Sequence, residues 1–344
     1  MEVHVFLIFG DMRSLSYAVI LCVFCLTSLA QGMRIATWNV ENMFDTCHDV
    51  GKRDTDFLPQ AERRWNTWRY WHKLRSITQT LAAMDLPDLV ALQEVENDTV
   101  LRDLTRRTAL WSAGYGYILT DGPDVRGTDV AILYRREQFA LCRSRGMRVP
   151  SALHGLRATR DILYAAGVLP TGDTLHVIAV HFPSRRNNST EARRNRALAA
   201  ETLSGLVDSV YRACGEVCGG CRMTGCASCP KIVVMGDFNA EPGDVIFEQM
   251  GDGLVSIVEQ DRVRLRGVRG TYCYRGIWGY LDHILVSPSL YHCVRGLARE
   301  CRFPFLLTQD GRMPRRTYGG VHYIGGVSDH LPLQARLLFA APAE

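Results

Sequence analysis

KIVVMGDFNAEPGD, residues 231–244, is the stretch on which the reading of the chain turns. Ile232, Val233, Val234 and Met235 form a short apolar run closed by Gly236, the pattern of a strand buried on both faces. Asp237 and Asn239 follow at once, then Glu241, Pro242 and Gly243. An acid and an amide two residues apart at the end of a rigid strand can face one ligand. The carboxylate can hold a hard cation or polarise a water, and the amide can bind a phosphate oxygen. Gly, Asp, Asn and Pro also build ordinary turns, so on its own the segment leaves a plain turn open.

The pattern recurs outward from there. Residues 33–39 read as a strand stopping at Asn39, and 89–92 as one ending in Gln93-Glu94. A hairpin over 162–168 and 174–180 runs into His181. Residues 280–286 form a strand carrying Asp282, and the last strand, 333–338, is entered through Ser328-Asp329-His330. Residues 117–119 and 129–134 read as neighbouring strands across an exposed Gly/Pro/Asp loop. Helices are expected over 61–84, 99–110 and 190–211, the last opening on a Thr190 cap with Glu191 in its first turn. Trp65, Trp68, Trp71, Leu74 and Ile77 fall at helical spacing and read as a core stripe rather than a base-stacking platform. With no internal repeat or low-complexity linker, the order predicts one α+β domain: two sheets packed face to face with helices outside.

The 344 residues carry 47% hydrophobic and 22% charged residues at a net charge of +4, which excludes a disordered chain and a strongly polybasic binder. Residues 1–30 read as a signal peptide: Arg13 precedes an apolar run over 15–29, and Ser28-Leu29-Ala30 has the form of a cleavage site. Met12 fits the true start, and the run is short for a transmembrane anchor. The mature chain is therefore expected to be secreted or periplasmic, over 31–344. Ten of the twelve cysteines remain in it, five of them within 214–229. In an exported chain that cluster reads as a disulfide-stapled surface insertion, with a metal knuckle as the alternative; its two Cys-x-x-Cys pairs are spaced too closely for the usual zinc site.

WNVEN, LQEVE, VHFPSRR, GDFNAEPGD, LDHI and SDHLP, in this order, resemble the endonuclease/exonuclease/phosphatase superfamily, over residues 33–338. That superfamily includes pancreatic-type deoxyribonucleases, abasic-site endonucleases, sphingomyelinases and inositol-polyphosphate phosphatases. The resemblance implies a four-layer α/β/β/α sandwich of two mixed β-sheets with outer helices. It implies Glu94 as the principal ligand of a divalent cation, Mg²⁺ with Mn²⁺ or Ca²⁺ as alternatives, flanked by Asn39 and Asp329. It implies that His330 contacts the scissile phosphate or acts as base, oriented by Asp282; that Asp237 handles the attacking water; and that Asn239 and His181 contact phosphate or the leaving oxygen. An oxygen ligand set suits a hard ion, and histidine can pass a proton either way near neutrality.

Softer candidates are Arg157 or Arg160 as phosphate contacts and Asp129 as a partner of His181, each equally readable as a salt bridge. Arg275 and Trp278 are placed at the cleft rim, and Arg262, Arg264, Arg266 and Arg269 in a solvated loop. The resulting expectation is an exported nuclease acting on DNA or RNA as a monomer without a stable protein partner. A sphingomyelinase-like or inositol-phosphate-type phosphoesterase is the alternative, with an inactive binding protein behind it. A lipid enzyme needs an exposed apolar hairpin, for which residues 303–307 are the candidate.

Overall fold

Side chains alternate across every central strand, and here both faces are covered. The computed structural model describes residues 31–185, 189–218, 229–258 and 270–339. Residues 1–30, read above as a signal peptide, most of the cysteine-rich stretch and the arginine-rich loop at 262–269 lie outside the described residues.

In chain order the strands are Gln31–Met43 (β1), Leu89–Val95 (β2), Tyr115–Leu119 (β3), Asp129–Arg135 (β4), Ala140–Met147 (β5), Ile162–Val168 (β6), Thr174–His181 (β7) and Lys231–Asp237 (β8). They continue with Val255–Ser256 (β9), Tyr272–Tyr274 (β10), Ile277–Gly279 (β11), Asp282–Val286 (β12), Arg299–Glu300 (β13), Tyr318–Gly319 (β14), His322–Tyr323 (β15) and Leu333–Phe339 (β16). One sheet runs β13-β16-β1-β2-β4-β3 and the other β5-β6-β7-β8-β12-β9. Each is mixed: β1 and β2 are parallel, as are β7 and β8, while β16 and β12 flank them antiparallel.

Met33, Ile35, Leu89 and Ile132 meet Val177, Ala179, Val233, Met235 and Ile284 between the sheets. On the outer face of the first sheet, Trp38, Val90, Leu92 and Leu133 pack against Leu74, Ile77 and Leu81 of the Thr67–Ala83 helix and Leu101 and Leu104 of the Asp98–Arg106 helix. Outside the second sheet, Ile178, Val180, Ile232 and Val234 pack on Leu203, Leu206 and Val210 of the Thr190–Cys218 helix. The expected four layers are present.

Several boundaries differ from the sequence reading. The first helix begins at Thr67, because the Asn66 side chain accepts the Arg69 N–H at 3.1 Å and caps it. Trp65 therefore lies before the helix, fully buried, and the tryptophan stripe divides: Trp71 is half-buried under the Arg107 guanidinium, and Trp68 faces solvent. The second helix ends at Arg106, with a separate 3₁₀ turn at Ala109–Ala113. At the long helix the capping oxygen is that of Ser189, which accepts the Ala192 N–H at 3.1 Å, so Thr190 is not the cap. Strand β5 has no counterpart in the sequence reading; it is an exposed edge whose LCRSRG sequence lacks apolar alternation. Among the described residues, no helix is long and apolar enough to cross a membrane, and Cys47, Cys142, Cys273, Cys293 and Cys301 are thiols.

Candidate active site

Topology gathers the polar strand ends. Parallel β1 and β2 finish at the same edge of their sheet, as β7 and β8 do in theirs, and the antiparallel β12 and β16 begin there. His181 is paired with Asp237, and Asp237 with Asp282, in adjacent register positions. The packed sheets thus bring Asn39, Glu94, His181, Asp237, Asn239, Asp282, Asp329 and His330 to one mouth of the sandwich.

At its floor, His330 Nδ1 lies 2.8 Å from Asp282 Oδ2, with Asp282 fully buried. The backbone clamps this imidazole: the His330 N–H donates to Ser328 Oγ, which itself donates to the Asn39 carbonyl, and the Trp38 indole donates to the His330 carbonyl. Thr271 Oγ1 accepts from the Leu281 and Asp282 N–H groups and so fixes the start of β12, while the Tyr272 ring lies 4.8 Å from the imidazole. Burial alone pushes His330 down, but the Asp282 carboxylate, with Asp237 and Asp329 behind it, raises it to about 10. The ring is an imidazolium, with Nε2 turned 3.8 Å from Asp237 Oδ2.

Asp237 is the hub. Burial raises it, His330 pulls it back and Asp282 raises it again, to about 7. Its Oδ1 accepts the Asn239 N–H at 2.8 Å, and its Oδ2 accepts from the Asn39 amide at 3.1 Å. Asn239 sits at φ 49° and donates its amide to the Phe182 carbonyl, tying the turn after β8 to the end of β7. Across the mouth, His181 Nε2 lies 3.6 Å from Asp237 Oδ2 and 4.0 Å from Glu94 Oε1. Burial, with Arg160 and Arg126 nearby, drives His181 well below the ordinary histidine range, so this ring is neutral. One pocket therefore holds one charged and one neutral imidazole.

Glu94 has φ 64°, a left-handed conformation that costs about 1–3 kcal/mol and recurs at functional sites. Its Oε2 accepts the Asn42 N–H at 2.8 Å, whereas its Oε1 takes no hydrogen bond among the described residues. Asn39 Oδ1 accepts a single N–H, from Glu41. These oxygens, with Asp237 and Asp329, fit a hard divalent cation. Asp237, Asp282 and His330 also offer ligand atoms within 4.8 Å of one another. There the His330 ring lies between the two carboxylates, 2.8 Å from Asp282 and 3.8 Å from Asp237.

The softer candidates fare differently. Arg160 is buried, bonding Asp124 at 2.8 Å and the Phe182 carbonyl at 3.0 Å; it braces the loop under His181. Asp129 accepts from Thr120 at 2.6 Å and Gly122 at 2.8 Å, so it does not hold His181, whose Nδ1 has no partner among the described residues. Arg157 is exposed, its backbone tied to Glu191 and Asn195 of the long helix. Arg275 sits in the turn between β10 and β11 with its guanidinium over Tyr274. Trp278 lies under Arg302 and against the first-sheet core. Phe303 and Phe305 stack on each other and on that core, and Leu306 is buried, so 303–307 is not an exposed apolar hairpin.

Two groups escaped the sequence reading. Arg126 comes from the loop before β4, its side chain half exposed, and Glu94 and Asp124 favour its charge. On the other side, Arg316 bonds Asp329 at 2.6 Å and Glu41 at 3.2 Å, and Glu41 accepts the Thr317 N–H at 2.7 Å. The fully buried Lys73 ammonium donates to the Glu41 carbonyl and to Thr317 Oγ1. Burial and Asp329 raise Glu41 to about 7, and burial lowers Lys73 to about 8. The available signal was Lys73 itself, one of three lysines, falling on the stripe Tyr70, Leu74, Ile77 and Leu81.

The model of the Endonuclease/Exonuclease/phosphatase family matches residues 34–338. Solved structures with this fold include humanized D. rerio TDP2, at 16% identity and TM-score 0.54, covering 89% of this chain and 98% of that one. The human Nocturnin catalytic domain with bound sulfate anion has 17% identity and TM-score 0.55, with 89% and 93% covered. A Bacteroides thetaiotaomicron mannosyl-6-phosphatase has 18% identity and TM-score 0.53, with 89% and 100% covered. No curated protein sequence matches the chain.

Proposed function

Because the chain belongs to the endonuclease/exonuclease/phosphatase family, we propose that it is a Mg²⁺-dependent phosphodiesterase, exported from the cell and acting as a nuclease on DNA or RNA. The observation that carries the reading is the pair of imidazoles, one charged and one neutral, placed on either side of Asp237 at 3.8 and 3.6 Å.

A bound divalent cation, held by Glu94 and Asn39 with Asp329 and Asp237 beside them, supplies positive charge against the phosphate. The remaining work falls to the protein. Asp237 Oδ2 accepts the proton of a water whose oxygen bonds to phosphorus as the bond to the leaving oxygen breaks, and that leaving oxygen takes up a proton from solvent. Asn39 and Asn239 hold that carboxylate in place through the amide and backbone N–H bonds described above. His330 Nε2–H donates to a non-bridging oxygen and stabilises the charge that grows there, with Asp282 keeping the ring oriented and charged. Neutral His181 offers one ring nitrogen as a donor to phosphate. The leader at 1–30 supports export, since polymers outside a cell are cut before uptake.

The test is a panel of plasmid DNA, single-stranded DNA, RNA, sphingomyelin and inositol phosphates with Mg²⁺, Mn²⁺, Ca²⁺ or EDTA, comparing wild type with Glu94→Ala and His330→Ala. Polymer cleavage abolished by EDTA and by both substitutions is expected. Turnover of lipid or monoester alone overturns the nuclease reading and leaves the phosphoesterase. Intact mass of the purified protein, before and after thiol alkylation, checks leader removal and the cysteine staple together.

A further inference from the structure

Two tryptophans, Trp68 and Trp111, are left largely exposed, and Trp68 lies on a distinctive surface. Trp68 is 62% exposed; its ring stacks on His72 at 5.2 Å and meets Tyr323 at 6.2 Å. Tyr323 carries the Arg69 guanidinium 4.4 Å from its ring centre, and its hydroxyl lies 3.3 Å from His72 Nδ1. A largely exposed indole forfeits the burial that usually retains tryptophan, and its ring here meets two aromatic neighbours, His72 and Tyr323. The surrounding chain is basic. Arg63, Arg64, Arg69 and Arg75 stand against Glu62 over residues 62–75, and Arg312 and Arg315 against Asp310 over 310–324, where Arg316 is already paired with Asp329 and Glu41.

This surface is joined to the reaction mouth through one short hairpin. Arg316, bonded to Asp329, immediately precedes Thr317 and β14, and Tyr318 of β14 pairs with Tyr323 of β15. Two extended residues before Tyr318 and one strand spacing across put the Tyr323 backbone about 8 Å from that of Arg316. A strand bound with a phosphate at the mouth can therefore reach this surface within a few nucleotides.

We propose that Trp68, framed by His72, Tyr323 and Arg69, is a stacking subsite for an unpaired base of single-stranded nucleic acid. The proposal rests on the nuclease reading and specifies its substrate. Indole and guanidinium planes accept any base face, and the arginines attract the phosphates on either side. A duplex has its base faces already stacked and presents none to Trp68.

The Glu94→Ala protein in EDTA is titrated, by fluorescence anisotropy, with a labelled oligodeoxyadenylate and with an abasic strand of equal length and charge. The base-bearing strand is expected to bind about 5- to 100-fold more tightly. Trp68→Ala in that background removes the difference, and Trp68→Phe retains most of it. In the otherwise wild-type enzyme, Trp68→Ala leaves hydrolysis of bis(4-nitrophenyl) phosphate unchanged. Equal affinity for both strands overturns the subsite, as does a difference that survives Trp68→Ala. Loss of binding to anionic phosphatidylserine vesicles in Trp68→Ala, with strand binding untouched, overturns it in favour of a membrane surface. A wild-type protein that prefers base-bearing strands through Trp68 yet cleaves none of them supports the subsite and sinks the nuclease reading.

Discussion

A charged imidazole in a pocket as dry as that around His330 depends on Asp282, because desolvation alone favours the neutral ring. Removing the ring by His330→Ala is expected to lower kcat about 10²–10⁴-fold with little change in KM, since its donor acts on charge that develops in the transition state. The pH profile of diester hydrolysis tests the assignment further. Asp237 works as its anion, so the rate climbs as pH rises through about 7; a bound cation adds positive charge and draws that limb lower. His330 works as its cation, so the rate falls as pH rises through about 10. In Asp282→Asn the main support of the charged ring is lost, and the alkaline limb is expected to shift toward neutrality. An alkaline limb unmoved in that variant rules His330 out as its source. The identities of these site residues were legible because each sits next to a strand end. The protonation states were not, because they depend on distances between segments up to three hundred residues apart.

Backbone contacts between elements set how sharply the site is held. At Gly236 an added Cβ lands 2.0 Å from the Val180 carbonyl oxygen on β7, so only glycine lets β8 lie this close beside its parallel neighbour. Gly236→Ala is expected to destabilise the fold by about 3 kcal/mol or more, read as a lower urea midpoint with an unchanged slope. The long helix offers a finer measurement. Ser189→Ala removes the capping acceptor and costs about 1 kcal/mol, whereas Thr190→Ala costs a few tenths. A larger loss at Thr190 returns the cap to that residue. Neighbouring serine and threonine look alike in sequence, and only the turn geometry selects between them. Strands β2, β8 and β12 were readable for the opposite reason: they are buried on both faces and run apolar over residues 89–92, 232–235 and 284–286, while β1 was readable by its alternation over 33–39. Edge strand β5 is mostly exposed, so its composition is free to look like a loop.

Across the whole molecule, stability and function compete at the mouth of the sandwich. Glu94, Asp237, Asp282, Asp329 and Glu41 converge there, and burial with mutual repulsion raises Asp237 and Glu41 to about 7. Lys73, Arg316, Arg126 and Arg160 offset part of that charge from positions 73, 126, 160 and 316, which no local pattern connects; only packing of the two halves shows them as one network. On the proposed reading, a divalent cation held by Glu94 and Asn39 would supply the rest, and because it would bind the folded chain alone it would stabilise the fold. At a hundredfold excess over its dissociation constant the gain is about 2.7 kcal/mol, which for a domain of this size raises Tm by about 5 °C. The expected result is a Tm that rises with Mg²⁺, returns with EDTA, and does not respond in Glu94→Ala. This readout needs no substrate, so it separates the cation site from the identity of the phosphodiester. Should Glu94→Ala respond to Mg²⁺ as wild type does, the ion binds elsewhere, and the unbonded Glu94 oxygen needs another explanation.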